Sequence, residues 1–208
     1  MFQMKFLITG FEPFGGHTEN SSWVAAKEVA TRGVSGVEIV LEQLSVSFAR
    51  VAGELREAIA KHSPDVIIML GQTTSTEMIR LERVALNMMD ASTPDNDGYI
   101  PDEETIAEGA AAALFTRMPI KALHAAIAKR GVAVKISNSC GLYVCNRLYY
   151  EALTLCCDSE ALRALFVHLP LYDGQKSDNP NNPTMSLEAM VEAIRVIIEE
   201  TNDKDREI

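Results

Sequence analysis

Positive charge is scarce in this sequence: 19 Lys and Arg stand against 29 Asp and Glu, a net charge of -10 over 208 residues. A polyanionic partner needs a basic face, and no Lys/Arg cluster occurs, so neither nucleic acid nor an anionic membrane surface is an expected partner. No apolar run approaches the ~20 residues that cross a bilayer. The start of the chain, Met1 to Phe6, lacks a basic segment followed by a long apolar stretch and a small-residue cleavage site, so a cytoplasmic location is expected. Cysteine is also sparse, with only Cys140, Cys145, Cys156 and Cys157. In a reducing compartment these do not form a disulfide framework. Their spacing is not that of a zinc site, and no His lies close by in sequence, so no metal site is expected.

What is present is ordinary for a globular chain: 47% apolar and 23% charged residues, in a length that suits one domain, 1–208, around one core. Short Val/Ile-rich runs alternate with helical patterns. Strands are predicted at Lys5–Thr9, stopped by Gly10, at Val37–Leu44, and at Asp65–Leu70, stopped by Gly71. Further strands are predicted at Arg83–Met88, Val132–Ser137 and Leu165–His168, and helices at Trp23–Arg32, Ala49–His62, Pro119–Arg130 and Cys145–Cys157. A last helix, capped by Ser186, carries an apolar stripe through Leu187, Met190, Val191, Ile194, Ile197 and Ile198. Continuous apolar strands between helices predict a three-layer α/β/α sandwich around a mostly parallel mixed sheet. In that architecture ligands bind where strands end.

Three segments at predicted strand ends carry unusual residues, one of them Gly71-Gln72-Thr73, which leads to Leu81–Asn87. Gly10-Phe11-Glu12-Pro13-Phe14-Gly15-Gly16 lacks the pattern of a phosphate cradle. Its Phe11 and Phe14 either wall a small flat pocket or fill core beneath a loop. The segment Asn138 to Asn146 places Cys145 at a helix start, where the helix dipole favours a thiolate and free N–H groups can hold an oxyanion. A free cysteine is commonly just a small core residue, so a base is needed to make it a nucleophile. His168, closing an apolar run, should emerge at the strand edge where Cys145 sits, and is the best candidate among His17, His62, His124 and His168. Glu82 either orients that imidazole or forms a surface ion pair with Arg83 or Arg80; spacing favours the ion pair. Asp90, Asp95 and Asp97 need no role beyond turn chemistry.

Taken together, Gly10 to Gly16, Glu82-Arg83-Val84-Ala85-Leu86-Asn87, Pro94 to Gly98, Tyr143-Val144-Cys145-Asn146 and Phe166-Val167-His168-Leu169-Pro170 closely resemble the signatures of the pyroglutamyl peptidase I family. The resemblance implies a cysteine peptidase that removes an N-terminal pyroglutamyl residue from peptides. It implies Cys145 as nucleophile, His168 as base and Glu82 as orienting carboxylate, with Phe11 and Phe14 holding the lactam ring and Gln72 beside its polar edge. It also implies no metal or organic cofactor, and a cytoplasmic homo-oligomer, either tetramer or dimer. The chain departs from the family pattern at Thr73-Thr74-Ser75-Thr76, where a Gly-rich run with an arginine is usual, and at Ser92, where an arginine is typical. These departures leave room for a cysteine amidase of different acyl specificity, or for a weakly active small-molecule binding homologue.

Overall fold

A computed structural model of the chain describes residues 3–177, 179 and 181–206. The amino-terminal part alternates as expected: β1 (Met4–Phe11), α1 (Ser21–Arg32), β2 (Val37–Leu44), α2 (Val51–His62) and β3 (Val66–Gln72). Then come β4 (Ile79–Glu82), β5 (Val84–Leu86), β6 (Ala113–Phe115), α3 (Ile120–Lys129), β7 (Val134–Ser137) and α4 (Val144–Cys157). The remainder is β8 (Arg163–Leu169), β9 (Leu171–Tyr172), β10 (Thr184–Met185) and α5 (Leu187–Arg206). The helix starts follow local chemistry. The Asn20 side chain accepts from the Ser22 N–H at 3.1 Å to cap α1, and the Ser186 hydroxyl accepts from the Ala189 N–H at 3.2 Å to cap α5.

The main sheet has the order β2-β1-β3-β8-β4-β7. Helices α1, α3 and α5 pack their apolar stripes on one face, and α2 and α4 cover the other. This is the α/β three-layer arrangement expected, and the fully buried β3 and most of β8 show why those strands read as unbroken apolar runs. The first four strands in that order run parallel, whereas β4 is antiparallel to β8 and parallel to β7. The last two strands therefore run against the rest.

Two glycines behave differently from the sequence expectation. Gly10 and Gly71 do not stop their strands; β1 continues to Phe11 and β3 to Gln72. Each permits a close approach instead. A Cβ at Gly10 would stand 2.8 Å from the Cα of Trp23, so its absence lets α1 settle onto β1. A Cβ at Gly71 would stand 2.7 Å from the Phe166 ring and 3.1 Å from Cδ2 of His168.

The single strand expected over Arg83–Met88 is also corrected. The chain forms β4 in the main sheet, then switches to a small ladder in which β5 pairs with β6. Arg83 is the switch: its N–H reaches Ser137 O at 2.9 Å, while its carbonyl accepts from the Thr116 N–H at 3.1 Å. Alternation of side chains alone does not reveal which neighbour a strand pairs with. Substituting Gly10→Ala, which forces Trp23 away from β1, is expected to cost about 1–3 kcal/mol. For a chain of this size that lowers Tm by roughly 3–10 °C in a thermal scan; an unaltered Tm would show that α1 yields freely.

Candidate active site

Glu82 ends β4 and is fully buried. Its Oε1 lies 2.8 Å from Nδ1 of His168, which is also buried, next to the last residue of β8. A carboxylate can only accept, so Nδ1 carries the proton and Nε2 faces away from Glu82. The other oxygen, Oε2, is buried without a hydrogen-bond partner. A surface ion pair of Glu82 with Arg83 or Arg80 is thus overturned: the β4 register turns Glu82 inward beside β8. The support beneath the pair is close-packed. Phe166 lies 4.8 Å from the His168 ring, centroid to centroid, and the Tyr149 hydroxyl donates to the Glu82 backbone carbonyl at 2.9 Å.

Cys145 reaches His168 by a different route from the one expected. β7, which precedes Cys145, runs against β8, so the two residues do not leave a common carboxyl edge. The loop 138–143 turns the chain back, with Gly141 at a left-handed φ of 80°, and α4 begins beside His168. Asn146 fixes that start. Its Nδ2 donates to Leu86 O and Met88 O, both at 2.8 Å, and its Oδ1 accepts from the Leu86 N–H at 2.9 Å. Tyr143 O accepts the N–H groups of Asn146 and Arg147 at 3.0 and 3.2 Å. The N–H groups of Val144 and Cys145, in the first turn of α4, have no carbonyl one turn earlier to bind.

Burial works to discharge His168, but the Cys145 thiolate and then Glu82 outweigh it, so the imidazole is pushed up to about 9. An imidazolium between a thiolate and a carboxylate is an arrangement suited to nucleophilic attack followed by proton return. Cys140 behaves otherwise. Burial, reinforced by Glu82 and Cys145, pushes its thiol well above the usual range, and its Sγ donates to Asn146 Oδ1 at 3.5 Å.

These groups open onto a cleft of about 780 Å³ lined by Phe14, Gln72, Arg80, Tyr143, Cys145 and His168, among others. A recess of about 20 Å³ leads inward between Phe11, Phe14, Val144 and Gln72. Phe11 is 3% exposed and belongs to the core while also lining the recess, and the half-buried Phe14 lines both recess and cleft. Gln72 Oε1 accepts from the Ser21 N–H at 2.8 Å and from Gln175 Nε2 at 2.7 Å, and its own Nε2 is a buried donor without a partner. His17 lies at the rim. Ser92 is exposed and does not line the cleft, whereas Thr73 and Thr74 do.

Several supporting residues were not singled out from sequence. Glu12 and Asn96 stitch the loops of the cleft wall: Glu12 Oε1 accepts from the Val46 N–H at 3.0 Å and from Asn96 Nδ2 at 2.9 Å. Asp95 accepts from the N–H groups of Asp97 and Tyr99, the turn chemistry expected of it, and beyond that expectation from the distant Phe48 N–H. Asn146 had a legible signal, a polar residue among the buried positions of α4. Among the described residues no group of three or more His, Cys, Asp or Glu is placed to hold a metal ion. Replacing Cys145 by Ala removes the main influence raising His168, leaving Glu82 alone to oppose burial. An NMR titration is expected to show the imidazole losing its proton near pH 9 in the intact chain and at clearly lower pH in Cys145→Ala. Equal titrations would show that the thiolate does not partner it.

Comparison with known proteins covers nearly the whole chain. A family model described as pyroglutamyl peptidase matches residues 4–204. The pyrrolidone-carboxylate peptidase of Thermococcus onnurineus is 42% identical over 196 residues, covering 94% of this chain and 97% of that protein. That of Bacillus licheniformis is 40% identical over 204 residues, covering 97% and 94%. Among solved structures, pyrrolidone carboxyl peptidase from Thermococcus litoralis superposes with a TM-score of 0.92 at 33% identity, covering 98% of this chain and 96% of that one. Pyroglutamyl peptidase I of Bacillus amyloliquefaciens gives 0.88 at 36% identity, covering 94% and 95%. The chain belongs to the pyroglutamyl peptidase family.

Proposed function

We propose that this chain is a cysteine peptidase that hydrolyses the amide bond after an N-terminal pyroglutamyl residue, with Cys145, His168 and Glu82 as its catalytic residues. The observation that carries the reading is the buried Glu82–His168 hydrogen bond of 2.8 Å beside Cys145, at the mouth of an aromatic-walled recess. Cys145 Sγ attacks the pyroglutamyl carbonyl carbon, and the carbonyl π electrons move to oxygen. The N–H groups at the start of α4 stabilise that oxyanion. As the tetrahedral species collapses, the C–N bond breaks and His168 Nε2–H protonates the departing amine. Water, deprotonated by the now neutral imidazole, then attacks the thioester, releasing the free acid and regenerating the thiolate–imidazolium pair. Glu82 holds the proton on Nδ1 throughout, keeping Nε2 turned to the reacting atoms.

Substrate choice follows from the walls. Phe11, Phe14 and Val144 give the lactam ring apolar surfaces, and the unpartnered Gln72 Nε2 donates to the lactam carbonyl. An ordinary N-terminus brings an ammonium group that this recess does not solvate, so it is rejected. The chemistry needs no cofactor. The four free cysteines suit a reducing cytoplasm, and no described helix is long and apolar enough to cross a membrane. Exposed Met88, Tyr99, Ile100 and Phe115 support self-association into a dimer or tetramer.

A pyroglutamyl reporter amide is expected to be turned over and a prolyl amide not. Cys145→Ala is expected to lower the rate roughly 10⁴–10⁶-fold and Glu82→Gln roughly 10²–10⁴-fold; retained activity in Cys145→Ala would reject the mechanism. Gln72→Met removes the lactam donor, so kcat/KM for the pyroglutamyl substrate is expected to fall by about 10–100-fold. A loss confined to kcat at unaltered KM would place Gln72 elsewhere in the reaction.

A further inference from the structure

Arg80 is not accounted for by the machinery above. It lies on β4 directly opposite His168 in the antiparallel ladder, two residues before Glu82, so all three share one face of the sheet. It is the one Lys or Arg among the described residues lining the cleft. Its guanidinium is held by neutral groups: one terminal nitrogen donates to the Ser75 hydroxyl at 2.8 Å, and Ser75 in turn contacts the Thr73 hydroxyl at 2.9 Å. Its Nε is buried with no hydrogen-bond partner, and no acidic side chain among the described residues forms an ion pair with it. Asp95 also lines the cleft, but three backbone N–H groups occupy its carboxylate. A cation oriented by hydroxyls keeps its full charge for a ligand. The terminal N–H groups left over from the Ser75 bond form a planar fork that suits a carboxylate.

Sheet order tells which end of the substrate it meets. The acyl recess lies on the β1 and β3 side of His168, where Phe11 and Gln72 end those strands, and Arg80 lies on the β4 side. His168 stands between them, where it hands a proton to the leaving amine. Arg80 is therefore on the leaving-group side. Resting on the peptidase reading above, we infer that Arg80 is a specificity residue that binds a carboxylate carried by the residue after the pyroglutamyl group. That carboxylate is either the free C-terminus of a pyroglutamyl dipeptide or the side chain of an acidic residue.

Two substrate pairs test this and separate the sources: pyroglutamyl-alanine against pyroglutamyl-alanine amide, and pyroglutamyl-glutamate amide against pyroglutamyl-glutamine amide. The unmodified chain is expected to prefer the charged member of one pair by about 10–100-fold in kcat/KM, mainly through KM. The preference should shrink with added salt. Arg80→Gln is expected to bring the ratio close to one, and Arg80→Lys to retain part of it. A ratio near one in the unmodified chain, or an undiminished ratio in Arg80→Gln, overturns the inference. So does a shifted upper limb of the pH profile with the ratio intact, since Arg80 would then act on His168 alone. If Arg80→Gln does not fold, the unmodified chain and Arg80→Lys carry the same test. If none of the four peptides is cleaved, the peptidase reading fails, a result distinct from cleavage without preference.

Discussion

A fully buried carboxylate with one oxygen bonded and the other unpartnered is the constraint around which this molecule is arranged. Glu82 sits out of reach of water, where an isolated anion is strongly disfavoured. The His168 hydrogen bond at 2.8 Å is the compensation, and it works best when the imidazole is charged. The Cys145 thiolate helps keep it charged. Cys145 and Glu82 together stabilise the charged imidazole against burial, and the row is also rigid. Phe166 and His168 pack over Gly71, where any side chain would intrude on the ring positions. Tyr149 ties the Glu82 backbone to α4. Asn146 ties the same helix to the strand after Glu82. The helix that presents Cys145 is thus bonded to the segment that presents Glu82.

The reversal of β4 and β7 makes this possible. In a wholly parallel sheet a residue two places from the end of one strand has neighbours that run alongside it toward the same edge. Here β4 enters from the cleft side and carries its acid inward, so Arg80 stands level with His168 and Glu82 level with Phe166. A carboxylate reaching the imidazole from the carboxyl edge would remain partly in water. One reaching it from an opposed strand is buried, and its electrostatic influence is correspondingly larger.

Much of this was legible in the sequence, and the parts that were not share a cause. Periodicity located β2 at Val37–Leu44 to the residue and the starts of α1 and α4 to within a few residues. It also marked Cys145 and His168, because a helix-start thiol and a histidine closing an apolar run are local features. Glu82 was harder. Its neighbours on the chain are Leu81 and Arg83, so its surroundings read as those of an exposed charge, and only pairing with β8 across 86 residues buries it. Gly10 and Gly71 misled for the same reason: a glycine needed for tertiary packing looks, along the chain, like one that ends a strand. The similarity of linked motifs singled out Cys145, His168 and Glu82 as one set, which spacing left open. It did not extend to Arg80, which lies outside those motifs.

Sheet order also separates the parts of the site that can vary from those that cannot. The aromatic-walled recess is built by the ends of β1 and β3 and by Val144, and the row of Cys145, His168 and Glu82 belongs to α4, β8 and β4. The segment between β3 and β4, residues 73–78, contributes hydroxyls at the cleft rim and, among the described residues, makes no hydrogen bond to Glu82 or Asn146. Changes there alter the cleft rim without breaking the Glu82–His168 hydrogen bond, in which those residues take no part. The Thr- and Ser-rich composition of that segment is therefore compatible with intact chemistry. Its hydroxyls hold Arg80 without neutralising it, whereas an acid at Ser75 would cancel the charge, and an apolar residue there would leave the guanidinium free to turn into solvent.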